Sequence, residues 1–243
     1  MRAWWAQTRA EVAMTLRRGE TLLLTLIIPV LLLVFLTLVH VTAHPAHRRI
    51  DFFAPSILAL TVLSTSLVAL SISTGFERTY GILRRLHVTP LGRARLIGAK
   101  IAALLVTEAL QVAVVAAVAV GLGWRPHGGP GGALAAGAAM LLASAGLAGI
   151  GLALAGWLRA EVNLAAANGL YLVLLLGSGI VVPLSSLPAA ASRVATALPA
   201  GALAEALHRI VGQGGAPTGA DWLVLALWAI GAPALAARSF RLD

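Results

Sequence analysis

Six stretches of this chain, Thr21–Val41, Phe53–Gly75, Ile97–Gly123, Ala133–Leu158, Val162–Val182 and Ala220–Ala237, are runs of nearly uninterrupted apolar side chains. A helix needs about 20 such residues to cross the hydrocarbon core of a bilayer. With no water there to satisfy backbone N–H and C=O groups, a single run has one way to cross, the α-helix. The sequence therefore predicts an all-α polytopic membrane protein with six transmembrane helices in one domain, 1–243. The fourth run is diluted by Ala and Gly, and the sixth is short and holds Pro233, so these two have the softest boundaries. Composition excludes the soluble alternative, with 59% hydrophobic residues, 11% charged residues and a mean hydropathy of +0.91.

The charge is one-sided: 17 Arg and one Lys against nine acids, net +9. In a membrane protein such an excess marks the cytoplasmic loops, so nucleic acid is not an expected partner. With the N-terminus cytoplasmic, only Arg48, Arg49, Arg125, Arg193 and Arg209 fall outside, and the other 13 of the 18 basic residues fall inside. That split predicts cytoplasmic N- and C-termini. Residues 1–20 mix Trp4, Trp5, Val12 and Leu16 with arginines, a pattern that suits a helix lying at the headgroup level, with Arg9 snorkelling. The apolar run that follows is as long as a full span, so it is expected to be retained rather than cleaved as a signal. Arg in place of Lys, with abundant Ala and Gly, matches a GC-rich bacterial genome, and a bacterial plasma membrane is the expected location.

Two segments interrupt the apolar pattern. Residues 76–96 contain Glu77–Leu91, ERTYGILRRLHVTPL, a charged and turn-punctuated connector on the cytoplasmic side. Glu77 and Arg78 leave the membrane, Gly81 permits a tight turn, Leu83 and Leu86 are suited to insert into a pocket, and Pro90 ends the helix. Residues 183–219, broken by Pro183, Pro188 and Pro199, are too polar to cross and are expected to fold back against the outer mouth of the spans as an external re-entrant region.

Few residues carry chemistry of their own. The P-loop pattern GxxxxGK[ST] is missing, because the single lysine, Lys100, stands between Ala99 and Ile101. ATP-driven work would need a separate motor. His40, His44 and His47 approach Asp51, but Pro45 interrupts the segment and Arg48 and Arg49 repel a cation, which argues against a metal. Leu176-Gly177-Ser178-Gly179 lacks the first glycine of the intramembrane serine-protease pattern, and no histidine lies in a span core to serve as its base. Cysteine chemistry is excluded by the lack of cysteine. Glu108, with Gln111 on the same side of span three, is an intramembrane carboxylate that marks either a polar packing contact or a site of function. In span two, Thr61, Ser64 and Ser71 share a face, for helix packing or for lining a pathway.

The order of these features resembles a known family. An Arg-bearing N-terminal segment precedes a span with Ile28-Pro29. A second span ends in Gly75-Phe76-Glu77-Arg78, followed by Gly81-Ile82-Leu83-Arg84-Arg85-Leu86 and Thr89-Pro90-Leu91. Gly179-Ile180-Val181-Val182-Pro183, Leu187-Pro188, Leu198-Pro199 and the basic Arg238–Arg241 tail come later. Together they resemble the ABC-2 type permeases, the membrane subunits of ABC exporters, among them drug-resistance permeases similar to the daunorubicin exporter. Ile82 departs from the pattern, which more often has a small or polar residue after the glycine.

The resemblance implies a coupling helix in 76–96 that docks on a nucleotide-binding subunit through Glu77, Arg78, Gly81, Leu83, Arg84, Leu86, Thr89 and Pro90. It implies a transport subunit with no catalytic site, no cofactor and no metal of its own, ATP and Mg being held by the partner. It also implies pairing with a second permease, identical or related, and export of a drug-like, lipid-like or other amphipathic substrate. Ser64, Ser71, Asn168 and Tyr171, polar or amphipathic within apolar helices, are the candidate pathway lining. A proton-coupled secondary transporter using Glu108 is the alternative expectation.

Overall fold

The computed structural model describes residues 9, 12–13, 19–39, 46–81, 92–181, 184 and 188–239, with the backbone alone at 19–25, 46–48, 92–97 and 239. Most of the expected interfacial helix, including Trp4, Trp5 and Leu16, lies outside the described residues. So do the side chains of His40, His44 and His47.

The described residues form a helical bundle with no strand. Helix α1 is Gly19–Leu38, α2 is Ala46–Leu63, and α3 is Leu70–Thr79, joined to α2 by a π-helical stretch, Ser64–Ala69. Then come α4 (Gly92–Gly121), α5 (Gly129–Trp157), α6 (Ala160–Gly177), two short helices α7 (Ala189–Ala197) and α8 (Pro199–Leu207), a π-helical turn His208–Gly212, and α9 (Gly219–Ser239). Five of these rods are long and apolar enough to span a bilayer, and α1 carries a shorter apolar stretch, Leu26–Leu38. The chain is a multi-pass all-α membrane protein.

Several boundaries differ from the sequence-based ones. The second span runs unbroken from Arg49 to Thr79, so Glu77 and Arg78 are still helical. The fifth ends at Gly177 instead of reaching Val182, because Gly179 adopts φ +84, a backbone that breaks a right-handed helix. At the start of α5, Gly128 sits in the left-handed region and Pro130 occupies the first turn, where its missing N–H costs nothing.

The second span is the hub. Of its most apolar stretch 83% is buried, against 22% for α6 and for α9. Leu33 of α1, Leu63 and Leu67 of the second span, Leu147 of α5 and Leu203 and Leu207 of α8 lie in one buried cluster. A smaller cluster, with Leu70, Leu104, Leu152 and Ala236, lies towards Arg78 and Lys100.

Helices approach closely through small residues, as expected where lipid supplies no hydrophobic drive between spans. A Cβ on Gly149 would stand 2.4 Å from Pro233 N, and one on Gly146 would stand 3.0 Å from Trp228 Cβ, so α5 and α9 pack backbone to backbone. Because the contact advances along both helices together, the two run parallel and end on the same side. Arg78, Lys100, Arg159 and Arg238 gather there, forming a basic end of the bundle. A Cβ on Gly151 would likewise meet Leu67 O at 2.8 Å, which seats the π-helical stretch against α5.

Candidate functional site

The connector begins from a base tied on two sides. Lys100 Nζ of α4 donates to Glu77 Oε2 at 2.5 Å, and the pair is nearly dry, with the side chains 4% and 14% exposed. The next residue turns the other way: Arg78 Nη1 donates to Ala155 O at 2.8 Å and to Gly156 O at 2.7 Å. These carbonyls belong to the last turn of α5, where no intrahelical donor follows and the helix dipole favours a cation. Two adjacent residues thus join the second span to α4 and α5. Tyr80 is exposed and stacks on Phe76 with centroids 6.2 Å apart. Gly81 takes φ +69 and redirects the chain. Of the expected coupling residues, Glu77, Arg78 and Gly81 are therefore placed; Leu83, Arg84, Leu86, Thr89 and Pro90 lie outside the described residues.

Above this base, the second span carries a buried polar seam. Thr65 Oγ1 donates to Gln111 Oε1 at 2.7 Å, and Ser66 Oγ donates to Glu108 Oε2 at 2.6 Å. Glu108 Oε1 receives Ser144 of α5, so one carboxyl joins three spans. One and two turns further on, Ser71 Oγ donates to Asn163 Oδ1 at 2.8 Å, Asn163 Nδ2 donates back to Ser71 O at 2.9 Å, and Gly75 leaves room for that amide. Thr74 Oγ1 is buried with no hydrogen-bond partner among the described residues. Burial makes each satisfied pair matter, because leaving one member alone exposes an unpaired polar group to an apolar interior.

The candidate pathway residues are thus dispersed. Ser71 is fully buried in the seam, whereas Ser64 is partly exposed and donates to Thr61 O at 3.1 Å. Asn168 is exposed, its amide donating to Leu164 O at 2.8 Å, and Tyr171 is partly buried against the core. Among the described residues no cluster of three His, Cys, Asp or Glu side chains is arranged to hold a metal.

At the opposite end, α8 and the π-helical turn after it close the bundle. His208 stacks on Phe52 of α2 with centroids 4.7 Å apart, and its Nε2 lies 3.2 Å from Ser56 Oγ. Burial pushes the imidazole below its usual range, and Glu205 pulls it partly back. Arg209 donates to Glu205 Oε1 at 2.9 and 2.7 Å and lies 3.7 Å from Asp221. Asp221 in turn accepts from Thr218 N and Oγ1, capping the start of α9. A cavity of about 680 Å³ lies between this network and α7.

Lys100, Ser144, Asn163 and His208 were not among the expected site residues. Lys100 had one signal, being the single lysine of a chain with 17 arginines. Asn163 and Ser144 had only their polarity within apolar runs, and nothing local to His208 points across 152 residues to Ser56.

A family model described as ABC-2 type transporter matches residues 2–210 of the chain. No curated protein matches it.

Proposed function

Because the chain belongs to the ABC-2 type transporter family, we propose that it is the permease subunit of an ATP-driven exporter, working as a pair of permeases with two separate nucleotide-binding subunits. In this reading the basic end is cytoplasmic, in a bacterial plasma membrane, and residues 76–96 are the coupling segment. Residues 183–219 then cap the external mouth, and the chain carries no ATPase site.

One observation carries the proposal: Glu77 and Arg78 bind the root of the connector to α4 and α5. A push on residues 82–91 would reach three spans as one rigid unit instead of dissipating in a loose loop, as a two-state rigid-body mechanism requires. The pathway between the two permeases draws on the exposed face of α6, with Asn168 and Tyr171, and on the partly exposed Ser64, while Ser71 stays enclosed in the seam; Ala, Leu and Val surroundings suit an amphipathic solute better than a sugar chain. Glu108 fits the seam as a structural tie, since both carboxyl oxygens are met by serine hydroxyls on neighbouring spans.

The test is co-expression with a nucleotide-binding subunit encoded beside this chain, purification into lipid, and ATP hydrolysis with and without Leu83→Asp. Co-purification of the wild-type pair, with the ATPase lost or uncoupled in the variant, supports the reading. Failure of any such subunit to bind, or a silent Leu83→Asp, overturns it.

A further inference from the structure

Ser144 of α5 faces more acceptors than it has protons. Its Oγ lies 2.7 Å from Met140 O, one turn back along its own helix, and is also in hydrogen-bond contact with Glu108 Oε1. A serine hydroxyl carries one proton, and neither a backbone carbonyl nor an ionised carboxylate has one to give. If Ser144 donates to Glu108, its oxygen and Met140 O meet lone pair to lone pair at hydrogen-bond distance. If Ser144 donates to Met140 O, the contact with Glu108 takes its proton from Glu108.

The surroundings decide between the two, because they hold no counter-charge. Glu108 is 4% exposed, and Ser66 and Ser144 are fully buried. The second span has no charged residue between Asp51 and Glu77, α5 has none at all, and α6 has none after Glu161. On α4 itself the nearest charge is Lys100, eight residues and about 12 Å back along the helix, where Glu77 already holds it. An ionised carboxylate at this point would be a buried charge with no cation beside it, and such groups take up a proton instead.

We propose that Glu108 is a proton-binding site, its carboxyl being the un-ionised acid with the proton on Oε1. The hydrogen bonds then run in one direction and each donor is used once. Ser66 Oγ donates to the carbonyl oxygen Oε2 at 2.6 Å, Oε1 donates to Ser144 Oγ, and Ser144 donates to Met140 O. A single proton thereby completes the tie between the second span, α4 and α5. Without it, Ser144 has one proton for two acceptors, and a bare negative charge stands where three spans meet. Glutamine offers the same pattern, an acceptor on one arm of the amide and a donor on the other.

The experiment is infrared spectroscopy of the full chain, purified in a detergent without ester groups and measured at neutral pH, with the Glu108→Gln spectrum subtracted from that of wild type. The difference is expected to carry the C=O stretch of a protonated carboxyl, which an ionised carboxylate lacks. In Ser66→Ala that band should move to higher frequency, because the carbonyl oxygen loses its donor. Glu161→Gln, which removes an exposed acid on α6, should leave the band where it is. Glu108→Gln should keep the wild-type thermal midpoint. A difference spectrum holding only carboxylate stretches overturns the proposal. So does a Glu108→Gln chain that loses its fold, since a neutral group of the same shape would then fail to replace the acid. A band that stays in place in Ser66→Ala overturns the assignment of the proton to Oε1.

Discussion

Lys100 Nζ and Glu77 Oε2 meet at 2.5 Å across the basic end, the single lysine of the chain paired with the acid that opens the connector. Since both are nearly buried, losing one removes the ion-pair partner of the other from a largely dry site, at a cost of about 3–5 kcal/mol. Lys100→Ala or Glu77→Ala should each lower the thermal midpoint in detergent strongly. The double variant should recover much of the loss. Additive losses would show that the pair is not coupled.

Arg78 reaches two carbonyls of α5 from one nitrogen. Arg78→Ala should cost about 1.5–3 kcal/mol, the range for hydrogen bonds to a charged group. Arg78→Lys should rescue only part, because an ammonium is a point charge without the planar fork of a guanidinium. In the assembled transporter, the same substitution should reduce substrate-dependent ATP hydrolysis more than it reduces binding of the nucleotide-binding subunit.

Gly149 has no space for a side chain, its missing Cβ lying 2.4 Å from Pro233 N and 2.5 Å from Ala232 C. The clash is with backbone and not with the end of a flexible side chain, so relief requires moving a helix. Gly149→Ala should destabilise by about 1–3 kcal/mol, the usual cost of overpacking. Gly231→Ala, in open space on the same helix pair, should be neutral. A tolerated Gly149→Ala would mean that α5 and α9 are further apart than described.

His208 gives the opposite end a pH dependence. Its imidazole is held below the ordinary value of 6.5 by burial against Phe52 and Ser56; Glu205 opposes that shift, and Arg209 follows it in the chain. The unfolded chain therefore binds the proton more readily, and stability rises with pH across this window. Docking of α8 should be firm above pH 6.5 and should weaken as pH falls from 6.5 through the lowered value of the buried ring. Thermal midpoints of wild type should fall over that range, and His208→Gln should flatten the dependence. An equally steep profile in the variant would assign the titration elsewhere.

How much of this was legible beforehand depends on the range of the interaction. The spans could be read because each apolar run records its own solvent. The charge break after Phe76 marks Glu77 and Arg78 in the sequence, but nothing local reveals Lys100 23 residues away or the open carbonyls of α5. Ser71 stood out as a polar residue in an apolar helix; only the fold shows that Asn163 satisfies it. The end of α6 at Gly177 was within reach, since Gly177 and Gly179 frame Ser178 in the sequence. The π-helical stretch was not, because its residues have no distinctive spacing and the close approach at Gly151 comes from another span.

That stretch, Ser64–Ala69, makes the second span a rod of two phases. Each α-helical residue turns the chain by about 100°, so accommodating one extra residue within a turn rotates everything beyond it by a comparable angle. Glu77 and Arg78 owe their aim at α4 and α5 to that offset, while Phe52 and Ser56, on the other side of it, keep their aim at His208. A shortening by one residue between positions 64 and 69 would leave the composition and hydropathy of the span almost untouched. It would nevertheless turn the root of the connector towards the wrong neighbours, a defect that no count of apolar residues would register.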